Sequence, residues 1–265
     1  MAVDEAHEQR RAVADLRYLP TPKRITAAAD GQIVARSDRA VLVKEPRRVV
    51  DEYAVPLADL HAVVTATPGD APPRERPWFD PDGPVYPPGG FRWHTTDGTE
   101  LDVAGRTAAG FAPADPDLTG YVILDFAAFD WLEEDEPVIG HPRSPYHRVD
   151  VRRSTRHVRV ERDGVLLAES RRPRLVFETG LPVRYYLPGE DVDLARLAPT
   201  DTRTICAYKG VASYWSVRLA EEELTDLVWG YLAPFPDAAE LTGLYCFYDE
   251  KVELTVDGVP SSRRA

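Results

Sequence analysis

The chain has 265 residues, with 43% hydrophobic and 29% charged residues and a formal net charge of −12. That length fits one large domain or two of ordinary size, and the composition is that of a globular protein. The acidic balance argues against duplex nucleic acid as a partner, because counterion release needs a broad basic face. No apolar run approaches the roughly 18 residues needed to span a bilayer. The first residues, MAVDEAHEQRRAVADLRY, lack the apolar centre of a signal peptide, so a cytoplasmic protein without membrane attachment is expected. Two cysteines, Cys206 and Cys246, exclude a disulfide framework and a four-cysteine zinc site.

In chain order, a helix is expected over residues 1–18, with Val13 and Leu16 on one face. A repeat follows. KRITAAADGQIVARSDRAVLV starts at Lys23, and RHVRVERDGVLLAESRRPRLV starts at Arg156. Each holds an Asp-Gly pair between runs of strand character, at Asp30-Gly31 and Asp163-Gly164. Asp-Gly suits the two-residue type I′ hairpin turn. Ala35, Ser37, Arg39 and Leu42 match Ala168, Ser170, Arg172 and Leu175. The match resumes at LTGYVILDFAAFDW from Leu118 and LTGLYCFYDEKVEL from Leu241, each predicting a buried strand. The expected architecture is mainly β: an N-terminal helix (1–18), a first β-domain copy (19–134) and a second (135–260). Residues 67–90, rich in Pro and Gly, predict a long irregular loop in the first copy.

The segment HPRSPYHRVDVRRSTRHV, residues 141–158, concentrates positive charge in this acidic chain. Between His141 and Arg184 there are eleven arginines against five acids. Arginine offers paired donors to carboxylate or phosphate, so an anion site involving Arg143, Arg148 and Arg152 is one reading. A solvated strand face is the other. His141, His147 and His157 have no spacing that sets two ligands on a helix face, so no metal and no cofactor is expected. His147 stands at a strand entry, as a hydrogen-bonding residue or a general acid or base.

The second constellation is CAYKGVASYWSV. Cys206, with Lys209 nearby, could serve as a nucleophile or as a small buried hydrophobe. Gly210 predicts a turn or bulge. Tyr214 and Trp215 point to opposite faces of the following strand, so one should leave the core and border a cleft. Lys209 is expected to lay its stem on the aromatic surface with its ammonium in water. The predicted pocket lies in the second copy and is lined by Arg143, Tyr146, His147, Arg148, Tyr208, Lys209, Tyr214 and Trp215. It would hold a small anionic or polar molecule. The alternative is an enzyme using Cys206 or His147 with Lys209. The sequence leaves the oligomeric state open.

EEDEPVIGHPRSPYHRVDVRRSTRHVRV, RYYLPGEDV, CAYKGVASYW and FYDEKVELTVDG together resemble a bacterial and fungal family catalogued as domain of unknown function number four hundred and twenty-seven. The resemblance covers most of the chain as two tandem copies and is strongest from Glu133 to Gly258. Ala207 stands where members usually carry proline. The resemblance implies a β-tent-like domain of two sheets, similar to methionine-R-sulfoxide reductases and to the drug-binding domain of cereblon. Those relatives commonly hold zinc through paired cysteines, which this chain lacks. Some catalogues label the family a nucleotidyltransferase. The Gly-Ser and paired-aspartate motifs of polymerase-type nucleotidyltransferases are absent, and Asp115-Pro116-Asp117 falls in a loop.

Overall fold

The protein was analysed as a computed structural model that describes residues 2–69, 85, 89–220 and 222–261. Most of the loop expected over 67–90 lies outside the described residues. The chain divides into two compact units, Met1–Ser144 and Pro145–Ala265. Among the described residues no helix is long and apolar enough to cross a membrane.

The first unit contains a short helix α1 (Glu5–Ala12) and eleven strands. They are β1 (Arg17–Pro20), β2 (Ile25–Ala29), β3 (Gln32–Ser37), β4 (Val41–Lys44), β5 (Glu52–Pro56), β6 (Val64–Ala66), β7 (Gly98–Val103), β8 (Arg106–Pro113), β9 (Tyr121–Leu124), β10 (Asp130–Glu133) and β11 (Glu136–Val138). The second unit has eleven more: β12 (Val149–Arg153), β13 (Val158–Arg162), β14 (Val165–Ser170), β15 (Arg174–Glu178), β16 (Arg184–Pro188), β17 (Leu197–Cys206), β18 (Gly210–Arg218), β19 (Glu223–Tyr231), β20 (Leu244–Phe247), β21 (Glu253–Val256) and β22 (Val259–Pro260).

The two units share one topology. Each has a seven-stranded antiparallel sheet, ordered β1-β4-β5-β9-β8-β7-β6 in the first and β12-β15-β16-β20-β19-β18-β17 in the second. Each has a four-stranded sheet, β11-β10-β2-β3 and β14-β13-β21-β22. Strand for strand these orders correspond, which makes the sequence repeat a structural duplication. The short acidic run Glu133–Glu136 spans the β10–β11 hairpin, so it belongs to the first unit's small sheet.

The Asp-Gly pairs take equivalent turns. Asp30 and Gly31 have φ of 51° and 77°, and Asp163 and Gly164 have 49° and 76°. Both hairpins carry a bulge at the same place, between Ala27 and Ala28 and between Val160 and Glu161. Two consecutive left-handed residues match the twist of the flanking strands, and glycine takes the second at no steric cost.

The recurrence of Ser and Arg after each hairpin has a physical cause. Ser37 Oγ donates to Asp59 at 2.7 Å and accepts the Arg39 amide, while the Arg39 guanidinium bonds Asp59. Ser170, Arg172 and Asp191 repeat the arrangement, with Ser170 Oγ 2.7 Å from Asp191. This latch ties each small-sheet hairpin to the turn that follows β5 or β16. It supports a backbone bridge beside it, Ala35 to Leu60 and Ala168 to Val192.

Each large sheet is packed on both faces. In the second unit one face meets the small sheet through Val158, Val160, Leu187, Val217, Leu227, Val228, Phe247 and Leu254. The opposite face buries Val176, Tyr186, Tyr214, Trp229, Tyr231, Leu241 and Cys246. The first unit follows suit, with Val41, Val43, Ala54, Phe91, Phe111, Leu118 and Ile123 on its second face. The second face carries Tyr186, Tyr214, Trp229 and Tyr231 in the second unit but Phe91 and Phe111 among mostly aliphatic residues in the first, so the two copies part company there.

The latch is testable. Ser170→Ala removes a buried hydroxyl donor and should lower unfolding free energy by about 1–2 kcal/mol. Ser37→Ala should do the same in its own unit. Denaturant unfolding measures both, and two unchanged stabilities would mean that the latch is decorative.

Candidate functional site

The second face of the large sheet in the C-terminal unit carries the chemistry. Glu178 ends β15 on the same side as Val176, because side chains alternate along a strand. Its carboxylate lies beneath two donors from distant segments. His147, two residues before β12, places Nε2 3.1 Å from one oxygen. Lys209, in the three-residue connection between β17 and β18, bonds the other oxygen through Nζ. Tyr208 stacks on the His147 ring at 4.3 Å and 24°.

The connection is held so that Lys209 points inward. Cys206 and Gly210 pair across the hairpin, and the Lys209 carbonyl accepts from the Phe235 amide at 3.1 Å. Gly210 has φ of 100°, which favours glycine, and its Cα faces the backbone of Ala233 and Phe235. Lys209 is therefore only 8% exposed. This corrects the expectation of an ammonium in water: Glu178 supplies the counter-charge that water was expected to supply. A buried ammonium remains favourable only when paired.

Burial alone would raise the Glu178 carboxyl, but the His147 hydrogen bond and the Lys209 charge outweigh it and hold the group below the ordinary range. Around it lies a wall of phenols and indole. Trp229 Nε1 donates to Tyr186 Oη at 3.0 Å, Tyr214 Oη is 2.8 Å from Thr204 Oγ1, and Tyr248 packs on Trp229 at 4.4 Å. Burial pushes the Tyr186, Tyr231 and Tyr248 phenols up, so they stay protonated and can donate at neutral pH. Cys206 and Glu178 add to the upward shift at Tyr231. Arg184 lies 5.6 Å over the Trp229 ring and pairs with Asp249 and Glu250.

The sequence-predicted residues separate into three groups. His147, Tyr208, Lys209 and Tyr214 share this face. Trp215 packs on the other face against Tyr245, 5.0 Å away. The alternation of Tyr214 and Trp215 thus holds, but neither has to leave the core, since both faces of the sheet are covered. Arg148 and Arg152 pair with Asp150 at 3.3 and 2.8 Å on the exposed side of β12. Tyr146 is 77% exposed. Arg143 belongs to the first unit. Cys206 is half-buried, and Cys246 is fully buried with its thiol pushed up by that burial.

Much of the arginine-rich segment is neutralised by neighbouring acids: Arg159 by Glu161 on its own strand and Glu169 on the paired one, Arg162 by the adjacent Asp163, and Arg172 by Asp191 in the turn after β16. The solvated, paired strand face is the reading that these contacts support. His157 bonds Glu169, and His141 Nδ1 is 2.8 Å from the Pro142 carbonyl. Among the described residues no three His, Cys, Asp or Glu side chains are grouped to hold a metal ion.

Glu178 itself was not singled out from the sequence. The signal was there: two residues past each end of the matched repeat stand Glu45 and Glu178. Arg184 was equally hidden, because its contacts with Asp249 and Glu250 come from more than sixty residues away, whereas Trp229 and Tyr231 were legible as aromatics dense enough to wall a pocket or fill a core.

The fold and site define a duplicated two-sheet β protein whose second copy carries a buried carboxylate bridged by a lysine and a histidine against an aromatic wall. Residues 150–258, within that second copy, match the family described as Domain of unknown function (DUF427). No curated protein matches the chain.

Glu178 makes the acid limb of stability predictable. A carboxyl held below its unfolded value contributes stability that is present above the unfolded pKa, about 4.3 for Glu. That contribution is lost as pH falls through the folded value. Glu178→Gln should therefore reduce stability at neutral pH and flatten the loss as pH falls below about 5. Melting curves across that window check it, and an unchanged pH profile would contradict the assignment.

Proposed function

We propose that the C-terminal unit binds a small anionic or polar molecule at the Glu178–His147–Lys209 centre. The observation that carries this reading is the convergence of Lys209 and His147, from segments about sixty residues apart, on one nearly buried carboxylate beside protonated phenols. Glu178 cancels the lysine charge but leaves donors: the remaining ammonium protons and, when charged, the imidazolium. Such a centre suits a carboxylate, a phosphate or a polyhydroxy compound better than a cation. Arg148 and Arg152, tied to Asp150, contribute general attraction at the rim.

Two further readings belong to the same proposal. Each unit is taken as a tent-like two-sheet domain, bounded as 19–134 and 135–260 with a helix before the first. The protein is taken to act in the cytoplasm on a small molecule, without a cofactor. Catalysis by Cys206 or His147 with Lys209 is the competing reading. The contacts favour binding, because the Lys209 amine is buried and committed to Glu178, which leaves it poorly placed to attack a substrate.

A thermal-shift screen against small carboxylates, phosphates and sugars tests the reading, since a ligand that prefers the native state raises the melting temperature. At least one compound should stabilise the protein by several degrees. Lys209→Met should abolish that shift, His147→Ala should weaken it severalfold, and Arg148→Ala should change it little. No stabilisation by any class, or an undiminished shift in Lys209→Met, sinks the proposal.

A further inference from the structure

The place of the Glu178 centre is filled differently in the N-terminal unit. The counterpart of Glu178 is Glu45, just after β4. Where the second unit joins β17 to β18 through Ala207–Lys209, the first unit inserts a long segment between β6 and β7. The end of that segment returns over the second face of the large sheet. His94 and Thr95 occupy the register of Tyr208 and Lys209. Glu45 accepts the Thr95 amide at 3.0 Å and lies 2.9 Å from His94 Nδ1.

The segment is clamped as well as seated. The His94 ring stacks on Phe111 at 3.6 Å and 10°, and Phe91 meets it edge-on at 5.0 Å. Phe111 is the counterpart of Trp229. Arg48, buried between β4 and β5, donates to the carbonyls of Gly89, Gly90, Phe91 and Trp93 at 2.8, 2.8, 3.2 and 2.9 Å. One guanidinium thus satisfies four backbone acceptors within Gly89–Trp93, described residues that form no strand or helix.

Acid is in surplus around the clamp's charged residues: Glu52 and Asp125 both interact with Arg48, and Asp125 interacts with His94. Glu52 opens β5 and Asp125 follows β9. Glu52 Oε2 and His94 Nε2 are both buried, and neither has a hydrogen-bond partner among the described residues. Burial, then the Asp125 charge, pushes the Glu52 carboxyl up to about 8; Glu45 adds to the rise, while Arg48 and the Phe126 amide oppose it. Asp125 is also raised by burial, against the Ala127 amide, His94 and Arg48. The groups facing Glu52 are therefore Glu45 and Arg48 from the β4–β5 connection, Asp125 and the Phe126 amide from the β9 end, and His94, through Asp125, from the segment itself. A charge on Glu52 would set three carboxylates against one guanidinium that is already committed to carbonyls.

We propose that Gly89–Thr95 is a proton-controlled plug on the large sheet of the N-terminal unit, closed while Glu52 carries a proton and released when Glu52 ionises. An acid that binds its proton more tightly in the closed state favours closure at low pH, and that preference is lost as pH rises through the closed-state value. Release uncovers Phe111 and Glu45, the counterparts of Trp229 and Glu178. The proposal rests on the first unit's contacts alone and stands whether or not the second unit binds a ligand.

Trp93 lies inside the plug and reports on it. With 5-fluorotryptophan incorporated, its fluorine resonance is assigned by its loss in Trp93→Phe. In the wild-type protein that resonance should move toward its urea-unfolded position as pH rises, with a midpoint near 8. The Trp131 and Trp229 resonances should stay in place, showing that both units remain folded. Glu52→Gln should keep the Trp93 resonance fixed over the same range. Arg48→Lys, which loses the fork of donors, should shift the release to lower pH. A Trp93 resonance that is static in the wild type, or that titrates equally in Glu52→Gln, overturns the proposal.

Discussion

The C-terminal site depends on one carboxylate kept charged away from water. Glu178 is nearly buried, and an isolated carboxylate there would be protonated or expelled. Two cationic or polar donors, Lys209 and His147, make the charge tolerable, and Glu178 in turn makes it tolerable to bury Lys209. Each partner is thus the reason that the others can lie where they do. The tight β17–β18 connection, the inward aim of Lys209 and the seating of the chain before β12 all follow from meeting that carboxylate. The stacked Tyr208 and His147 rings close the arrangement from the side.

The duplication shows which features belong to the fold and which to the site. Both units keep the hairpin turns, the bulges and the Ser–Asp–Arg latch, and these hold the small sheet to the large one. Both keep a glutamate, nearly or fully buried, at the end of the strand that pairs with the edge strand. The first unit satisfies it from within, with His94 and a backbone amide. The second satisfies it with a histidine from the opposite side and a lysine from a short turn. A histidine–glutamate contact thus recurs in both copies from non-equivalent histidines. This recurrence says that the carboxylate's position, rather than either histidine's, is what the fold fixes.

Much of the architecture was legible because its signals are local. Asp30-Gly31 and Asp163-Gly164 dictate turns through their own backbone preferences, and the repeat could be read by eye. Ser37, Arg39, Ser170 and Arg172 were visible as recurring letters, but their partners Asp59 and Asp191 lie about twenty residues away in a different element. The arginine concentration over residues 141–184 was visible too, yet its meaning required knowing which acids face it across the strands. Asp150 and Glu161 come from the same strands as their arginines, Glu169 from a neighbouring strand, and Asp191 from the turn after β16. Burial of Lys209 could not be read at all. A lysine beside aromatics reads as a snorkelling side chain unless its counter-charge is known.

The central claim is that Glu178, Lys209 and His147 form one coupled unit and are not three neighbours. A double-mutant cycle on unfolding free energy measures this directly, using Glu178→Gln, Lys209→Met and the pair. The account predicts that the double variant is less damaged than the two single variants together, by about 1–3 kcal/mol, because each single change strands a buried charge. Additivity within about 0.5 kcal/mol would contradict it, since distant, independent sites behave that way.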